Sequence, residues 1–283
     1  MQRYKILHRT YYNFSTAVWL EPHSLRLRPK EDHELRIESF ILTITPPATL
    51  RWHRDVEGNS VAIATFDSQA NQLSIESETI IEHYNEAPLD FLVADHARDY
   101  PFAYKPEDWA VLSPYGNVAD PAAIGLLTKW VGNFWQSGEE LQTYSLLQLL
   151  NAYIHQTMSY QLREEPGVQT VGETLARGSG SCRDSAYLFM EAARFLGFAC
   201  RFVSGYLHAQ PSTANFGATH AWAEVFLPGA GWKGFDPTLG EIVGTSHIAV
   251  AVARMPESVP PIAGSFVGLP GVDLDVGVWV TEL

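Results

Sequence analysis

The stretch Gly178-Ser-Gly-Ser-Cys-Arg-Asp-Ser-Ala-Tyr-Leu-Phe-Met-Glu-Ala-Ala-Arg-Phe-Leu-Gly197 opens on small residues and then places Ala186, Phe189, Ala193 and Leu196 at steps of three and four. That period is helical, and Gly197 supplies a C-terminal stop. Ser181 followed three residues later by Asp184 has capping-box spacing, so Ser181 is expected at the N-cap and Cys182 at the first helical position. A helix N-terminus favours a thiolate over a thiol, and Arg183 adds positive charge beside it. The glycines on either side of Ser179 keep side chains out of the path of a carbonyl approaching the sulfur. Cys182 can equally be a small buried residue at a helix start, as free cysteines often are. Asp184 at N3 is expected to cap rather than to catalyse. Cys200 lies in an apolar strand and is expected in the core.

Downstream, Thr219-His-Ala-Trp-Ala-Glu-Val-Phe-Leu-Pro-Gly-Ala-Gly-Trp-Lys-Gly-Phe-Asp-Pro-Thr reads as two strands joined by a tight Pro228-Gly-Ala-Gly loop. His220 opens one strand and Asp236 closes the other, so both fall at one end of the hairpin. Strand side chains alternate between faces. Pairing Leu227 with Trp232 would therefore send His220 and Asp236 to opposite faces. A register such as Phe226 opposite Trp232, or a bulge that restores the parity, is expected if the two meet. A histidine near a thiol can exchange its proton and later protonate a leaving amine, while a carboxylate fixes its tautomer. Each residue also has an ordinary reading, as a strand-end hydrogen-bonding group and a turn former.

Working outward, residues 2–84 hold β-branched and aromatic runs with period-two alternation, separated by turns such as Thr45-Pro-Pro and Glu57-Gly-Asn. They read as an antiparallel β-sandwich. Residues 86–121, rich in proline, tyrosine and acids, read as a connection, with a domain boundary expected at 95/96. Helices are expected from Ala122 to about Trp135 and from Leu141 to about Met158. Strands follow at 199–207, 219–227, 232–236 and 248–252, with a last one near 273–280 assigned to the second domain. Helices followed by an antiparallel sheet give an α+β architecture.

The 283 residues suit two domains, and 46% hydrophobic with 18% charged content fits a chain that folds throughout. The 32 acidic against 19 basic residues, net charge -13, disfavour a nucleic-acid partner. No stretch reaches the roughly 18 apolar residues of a membrane span, and Ile6-Leu-His-Arg-Thr-Tyr lacks the apolar core of a signal peptide. A cytoplasmic protein that engages no membrane is expected, with its two cysteines unpaired.

Three separated blocks, Gly180-Ser-Cys-Arg-Asp-Ser-Ala, Arg201-Phe-Val-Ser-Gly-Tyr-Leu and the His220 to Thr238 hairpin, together with the later His247-Ile, resemble the transglutaminase-like superfamily. The likeness is to bacterial transglutaminase-like cysteine proteases with an N-terminal β domain. It implies a papain-like core in which Cys182 is the nucleophile, His220 its base and Asp236 the partner of that base. It also implies acyl transfer from a peptide or amide through a thioester, to water or to an amine acceptor. Tyr187 departs from the pattern, since many relatives carry histidine there. No calcium-binding segment of the animal enzymes is recognisable, so no metal or cofactor is expected. A zinc site on Cys182, His220 and Asp236 is disfavoured because neither Cys-x-x-Cys nor His-Glu-x-x-His occurs. The Cys182 backbone N–H is the natural first oxyanion donor, Tyr160 and Gln161 are candidates for a second, and Trp222 is expected to border the substrate cleft. A non-catalytic peptide- or protein-binding module on the same fold is the alternative.

Overall fold

The computed structural model describes residues 1–84, 86–163, 165–208 and 219–283. Its N-terminal strands are β1 (Gln2–Leu20), β2 (His23–Leu25), β3 (Leu35–Thr45), β4 (Thr49–Arg54), β5 (Ser60–Thr65) and β6 (Gln69–His83). They form two antiparallel sheets, one holding β1, β6 and β3 and the other β2, β5 and β4. Phe14, Val18, Leu20, Leu25, Leu73 and Ile75 meet between them as a common core. This is the expected sandwich. The register of β1 against β6 shifts between Asn13 and Val18, and such an irregularity bends a strand and re-aims its side chains. The first half of β1 consequently serves a different core: Tyr4 and Ile6, with Ile81 of β6, pack against Tyr206 and Ile248 of the second half of the chain.

The helices are α1 (Pro106–Gly116), α2 (Ile124–Val131), α3 (Thr143–Thr157), α4 (Val171–Arg177) and α5 (Cys182–Phe195). Two were not anticipated. The first falls in the stretch read as a connection, yet Pro106 sits in its first turn, where its missing N–H costs nothing. The second, α4, carries a Thr170/Glu173 capping box and ends on Gly178 at φ 62°, a conformation glycine adopts without penalty.

After α5 come β7 (Cys200–Leu207), β8 (His220–Leu227), β9 (Gly231–Asp236), β10 (His247–Ala253) and β11 (Val272–Glu282). An antiparallel sheet runs from Glu241–Ile242 through β9, β8 and β7 to β10. α5 lies across one face, with Ala186, Phe189 and Ala193 against Phe202, Ala223, Val225 and Phe235. Phe189 and Phe235 stack at 5.3 Å. Burial of each large apolar side chain contributes roughly 1.5–3 kcal/mol, so this cluster fixes the helix to its sheet.

The other face of that sheet meets the N-terminal half. β10 is an edge strand, and its outer groups are taken up by that half: Lys30 N–H donates to the Ala249 carbonyl at 2.8 Å. The Asn59 side chain donates to the Val252 carbonyl and accepts from the Val252 N–H, each at 2.8 Å. The C-terminal tail departs from expectation. It does not extend the second domain: β11 pairs with β1, Ile262–Ala263 with β2 and Phe266–Val267 with β1. The unpaired outer edge of a long first strand is a template for such pairing.

Inside α5, Arg194 and Glu191 form an ion pair at 2.7 Å with both side chains fully buried. Arg194 also donates to the carbonyls of Tyr115, Cys200 and Arg254, and Glu191 accepts from the Ala119 N–H. One charged pair thus ties α5 to α1, to the α1–α2 connection and to two strand ends.

Candidate active site

Ser181 is the N-cap of α5 and Cys182 its first residue. Asp184 at N3 accepts from the Ser181 N–H at 2.8 Å and from the Ser181 hydroxyl at 2.7 Å. Its other oxygen accepts from the Gln169 N–H and from Arg163, both at 2.7 Å. Burial opposes charge on this carboxyl, but these donors hold it below the usual range. The expected capping role is what the geometry shows, and Arg163 balances the charge that would otherwise face the thiol. The glycine before Ser181 serves this cap rather than the cleft, since a side chain at Gly180 would begin 2.7 Å from the Asp184 Cβ. Arg183 donates to the carbonyls of Arg163 and Glu165 and so pins the segment that brings Arg163 to Asp184.

On the hairpin, Phe226 is opposite Trp232 and Ala223 opposite Phe235. This is the expected register, and it sends Ala223 and Phe235 toward α5 while His220, Trp222 and Asp236 share the other face. His220 Nε2 and Asp236 Oδ2 are 2.6 Å apart, with the two side chains 11% and 0% exposed. Thr238 and Leu239 N–H groups donate to Asp236 Oδ1 at 2.9 and 3.2 Å, which anchors the carboxylate in its own turn. The Cys182 side chain acts on the His220 ring together with Asp236. With Nε2 engaged by Asp236, Nδ1 is the nitrogen left for the thiol.

Burial disfavours a charged His220, yet hydrogen bonding to Asp236 and to Cys182 outweighs it and raises the imidazole from 6.5 to about 10. For Asp236, burial pushes upward but hydrogen bonds from His220 and His247 prevail, so it stays well below the usual carboxylate range. The site holds a proton on the imidazole and negative charge on Asp236.

His247, the first residue of β10, also reaches the site, although the sequence assigns it no role. Its Nε2 lies 3.1 Å from the same Asp236 oxygen that His220 engages, and its side chain is 1% exposed. Only its place in the matching His247-Ile block singled it out. The ligand atoms of His220, Asp236 and His247 lie within 4.8 Å of one another, a donor set a metal ion could use. Both histidines already direct Nε2 at one carboxylate oxygen, so a metal there would displace the protons of those hydrogen bonds.

Trp222 does not border the cleft. It is 1% exposed, its ring 6.2 Å from His220 and edge-on to His247 at 5.3 Å. The N-terminal half covers the sheet face it stands on, which the hairpin alone could not reveal. Gly205 makes room for it, because a Cβ there would stand 2.6 Å from the Trp222 ring. Tyr160 and Gln161 do lie beside the nucleophile candidate. Tyr160 pairs in parallel with Gly180, is 42% exposed, and has its phenol raised by burial and by the charge of Cys182. The Gln161 N–H donates to the Gly180 carbonyl at 2.8 Å and its side-chain oxygen accepts from Ser179 at 3.3 Å. Cys200 is fully buried, and burial pushes its thiol up to about 12.

Residues 4–82 match the bacterial transglutaminase-like N-terminal region, and residues 134–237, which hold Cys182, His220 and Asp236, match the transglutaminase-like superfamily. The chain belongs to the transglutaminase-like superfamily. Among solved structures, this transglutaminase-like chain is similar to a proposed cysteine protease from Cytophaga hutchinsonii. The TM-score is 0.76 at 16% identity, over 100% of this chain and 91% of that one. That likeness shows a shared fold. An uncharacterised protein of Mycobacterium tuberculosis is 28% identical over 280 residues, covering 93% of this chain and 87% of its own. One from Mycobacterium leprae is 26% identical over 294 residues, covering 100% of both. Among the described residues of the transglutaminase-like chain, no helix is long and apolar enough to cross a membrane.

Proposed function

We propose that the protein is a cysteine-dependent amidase, peptidase or acyltransferase in which Cys182 is the nucleophile, His220 the acid and base, and Asp236 the group that orients His220. The observation that carries this reading is the 2.6 Å contact of His220 with Asp236, in a chain whose partly exposed thiol stands at a helix N-terminus and acts on the His220 imidazole.

The chemistry follows from those positions. The Cys182 sulfur attacks the carbonyl carbon of a peptide or amide, forming a C–S bond while the carbonyl electrons move to oxygen. The N–H of Cys182 has no carbonyl four residues earlier within the helix and is available to that oxyanion. As the oxyanion collapses, the C–N bond breaks and the leaving amine takes the proton held on His220. A water molecule or a second amine then gives its proton to His220 and attacks the thioester, and the C–S bond breaks to restore the sulfur. Asp236 supports the charged imidazole in both halves. Two unpaired thiols agree with a reducing, cytoplasmic setting.

The test is turnover of a panel of amide donors, with and without added primary amines, by the wild-type protein and by Cys182→Ala. Release of amine or formation of a new amide that disappears in the variant supports the proposal. Turnover that survives in Cys182→Ala removes it.

A further inference from the structure

Among the described residues, the Asp236 carboxylate receives four donors, two on each oxygen. Oδ1 takes the N–H groups of Thr238 and Leu239, and Oδ2 takes the ring nitrogens of His220 at 2.6 Å and His247 at 3.1 Å. A carboxylate has about four lone-pair sites, so this one is saturated. Its charge is spread over a fixed frame rather than aimed at His220 alone.

The tautomer of His247 follows from its other nitrogen. The Gly244 N–H, which can only donate, points at Nδ1 at 3.4 Å, and the Ser246 hydroxyl lies 3.2 Å away. Nδ1 is thus an acceptor, and in the neutral ring the proton sits on Nε2, facing Asp236. Packing fixes one side of the ring. Trp222 meets it edge-on at 5.3 Å, and His83 of β6 hydrogen-bonds its backbone. β10 is tied along its outer edge to Lys30 and Asn59. Behind it lies a cavity of about 110 Å³ whose lining includes the charged groups Lys30, Asp32, Glu34, Arg201 and Glu224. The Arg201 and Glu224 charges pair at 2.6 Å.

We infer that His247 is a positioning residue of the site: an imidazole whose Nε2–H holds Asp236 Oδ2 in the orientation from which it supports His220. The inference rests on the proposed Cys182–His220–Asp236 mechanism. The oxygen shared by the two histidines is what separates it from a structural reading, since a histidine that only filled its own hydrogen bonds could use any carbonyl nearby. It also gives the N-terminal half a function in the chemistry, because Lys30, Asn59 and His83 hold the strand that carries His247.

The experiment is the rate of Cys182 alkylation by iodoacetamide between pH 5 and pH 10, with the site assigned by mass spectrometry. It uses the wild-type protein, His247→Gln and His247→Asn, and the fold of each is checked by thermal unfolding. A glutamine amide reaches roughly the place of Nε2 and can donate to Asp236, while an asparagine amide is too short. The glutamine variant is expected to stay within about threefold of wild type with the same pH profile. The asparagine variant is expected to lose tenfold or more at pH 7, with its alkaline limb displaced toward neutral, because a small misplacement of a reacting group is costly. Glutamine and asparagine behaving alike, whether both intact or both impaired, would overturn the inference. If wild-type Cys182 reacts no faster than a thiol of the unfolded chain, the proposed mechanism falls first and His247 falls with it.

Discussion

Phe226 lies directly opposite Trp232, and that one pairing puts His220 and Asp236 on the same face of the hairpin. Leu227 opposite Gly231 is the last pair before the turn, which the Ala230 N–H closes by donating to the Leu227 carbonyl at 2.9 Å. A loop one residue longer would have reversed the parity of every pair beyond it.

The turn depends on Gly229, at φ 87°. A Cβ there would also stand 2.7 Å from the backbone nitrogen of Ala94, whose N–H donates to the Pro228 carbonyl at 2.7 Å. Gly229→Ala is therefore expected to destabilise the protein by about 1–3 kcal/mol. The urea midpoint would fall with no change in the slope of the transition. An unchanged midpoint would show that the loop relaxes freely.

Much of this was legible in the sequence because it is local. The α5 cap, its apolar stripe and the hairpin each declare themselves within about twenty residues of chain. What was not legible depends on distant segments. Trp222 alternates correctly with His220, but whether its face is cleft or floor is decided by the N-terminal half that covers it. His247 opens a strand as His220 does, and nothing local says that it turns to Asp236. Val272–Glu282 read correctly as a strand, but its partner, the first strand of the chain, lies at the far end of the sequence. Arg194 and Glu191 look like an exposed pair on an amphipathic helix, and only the packing of four segments around them shows otherwise.

Asp236→Asn tests the electrostatics. His220, raised to about 10 from 6.5, contributes stability that is fully present below pH 6.5 and is lost as the pH rises through about 10. Asp236, lowered from 3.8, contributes stability that is present above pH 3.8 and is lost as the pH falls through its lower folded value. In Asp236→Asn the alkaline loss is expected at a lower pH, seen as an earlier fall of the unfolding temperature between pH 7 and pH 10. Turnover is expected to drop by roughly two to four orders of magnitude, as it does when a histidine loses the carboxylate that fixes its tautomer.

Cys200 offers an internal control. Fully buried and with its thiol pushed up to about 12, it is expected to remain unmodified by iodoacetamide at pH 7 in the folded protein and to react once urea unfolds the chain. Modification of Cys200 before unfolding would show that the sheet opens locally.

Arg194→Met is expected to cost about 3–5 kcal/mol, because it leaves Glu191 charged and buried without its partner. Replacing both, as Arg194→Met with Glu191→Leu, should recover part of that loss, with some cost remaining where carbonyls lose their donor. Denaturant unfolding of the three variants measures the coupling, and additive effects would show that the pair acts independently.

The most direct measurement is the alkylation rate of Cys182 at pH 7 in the wild-type protein and in His220→Ala, with the modified site identified by mass spectrometry. The account predicts that wild-type Cys182 reacts well above the rate of a thiol in the unfolded chain. It predicts that His220→Ala lowers this by about tenfold to a hundredfold while the fold is retained. A Cys182 that reacts at the unfolded-chain rate in both proteins would contradict it.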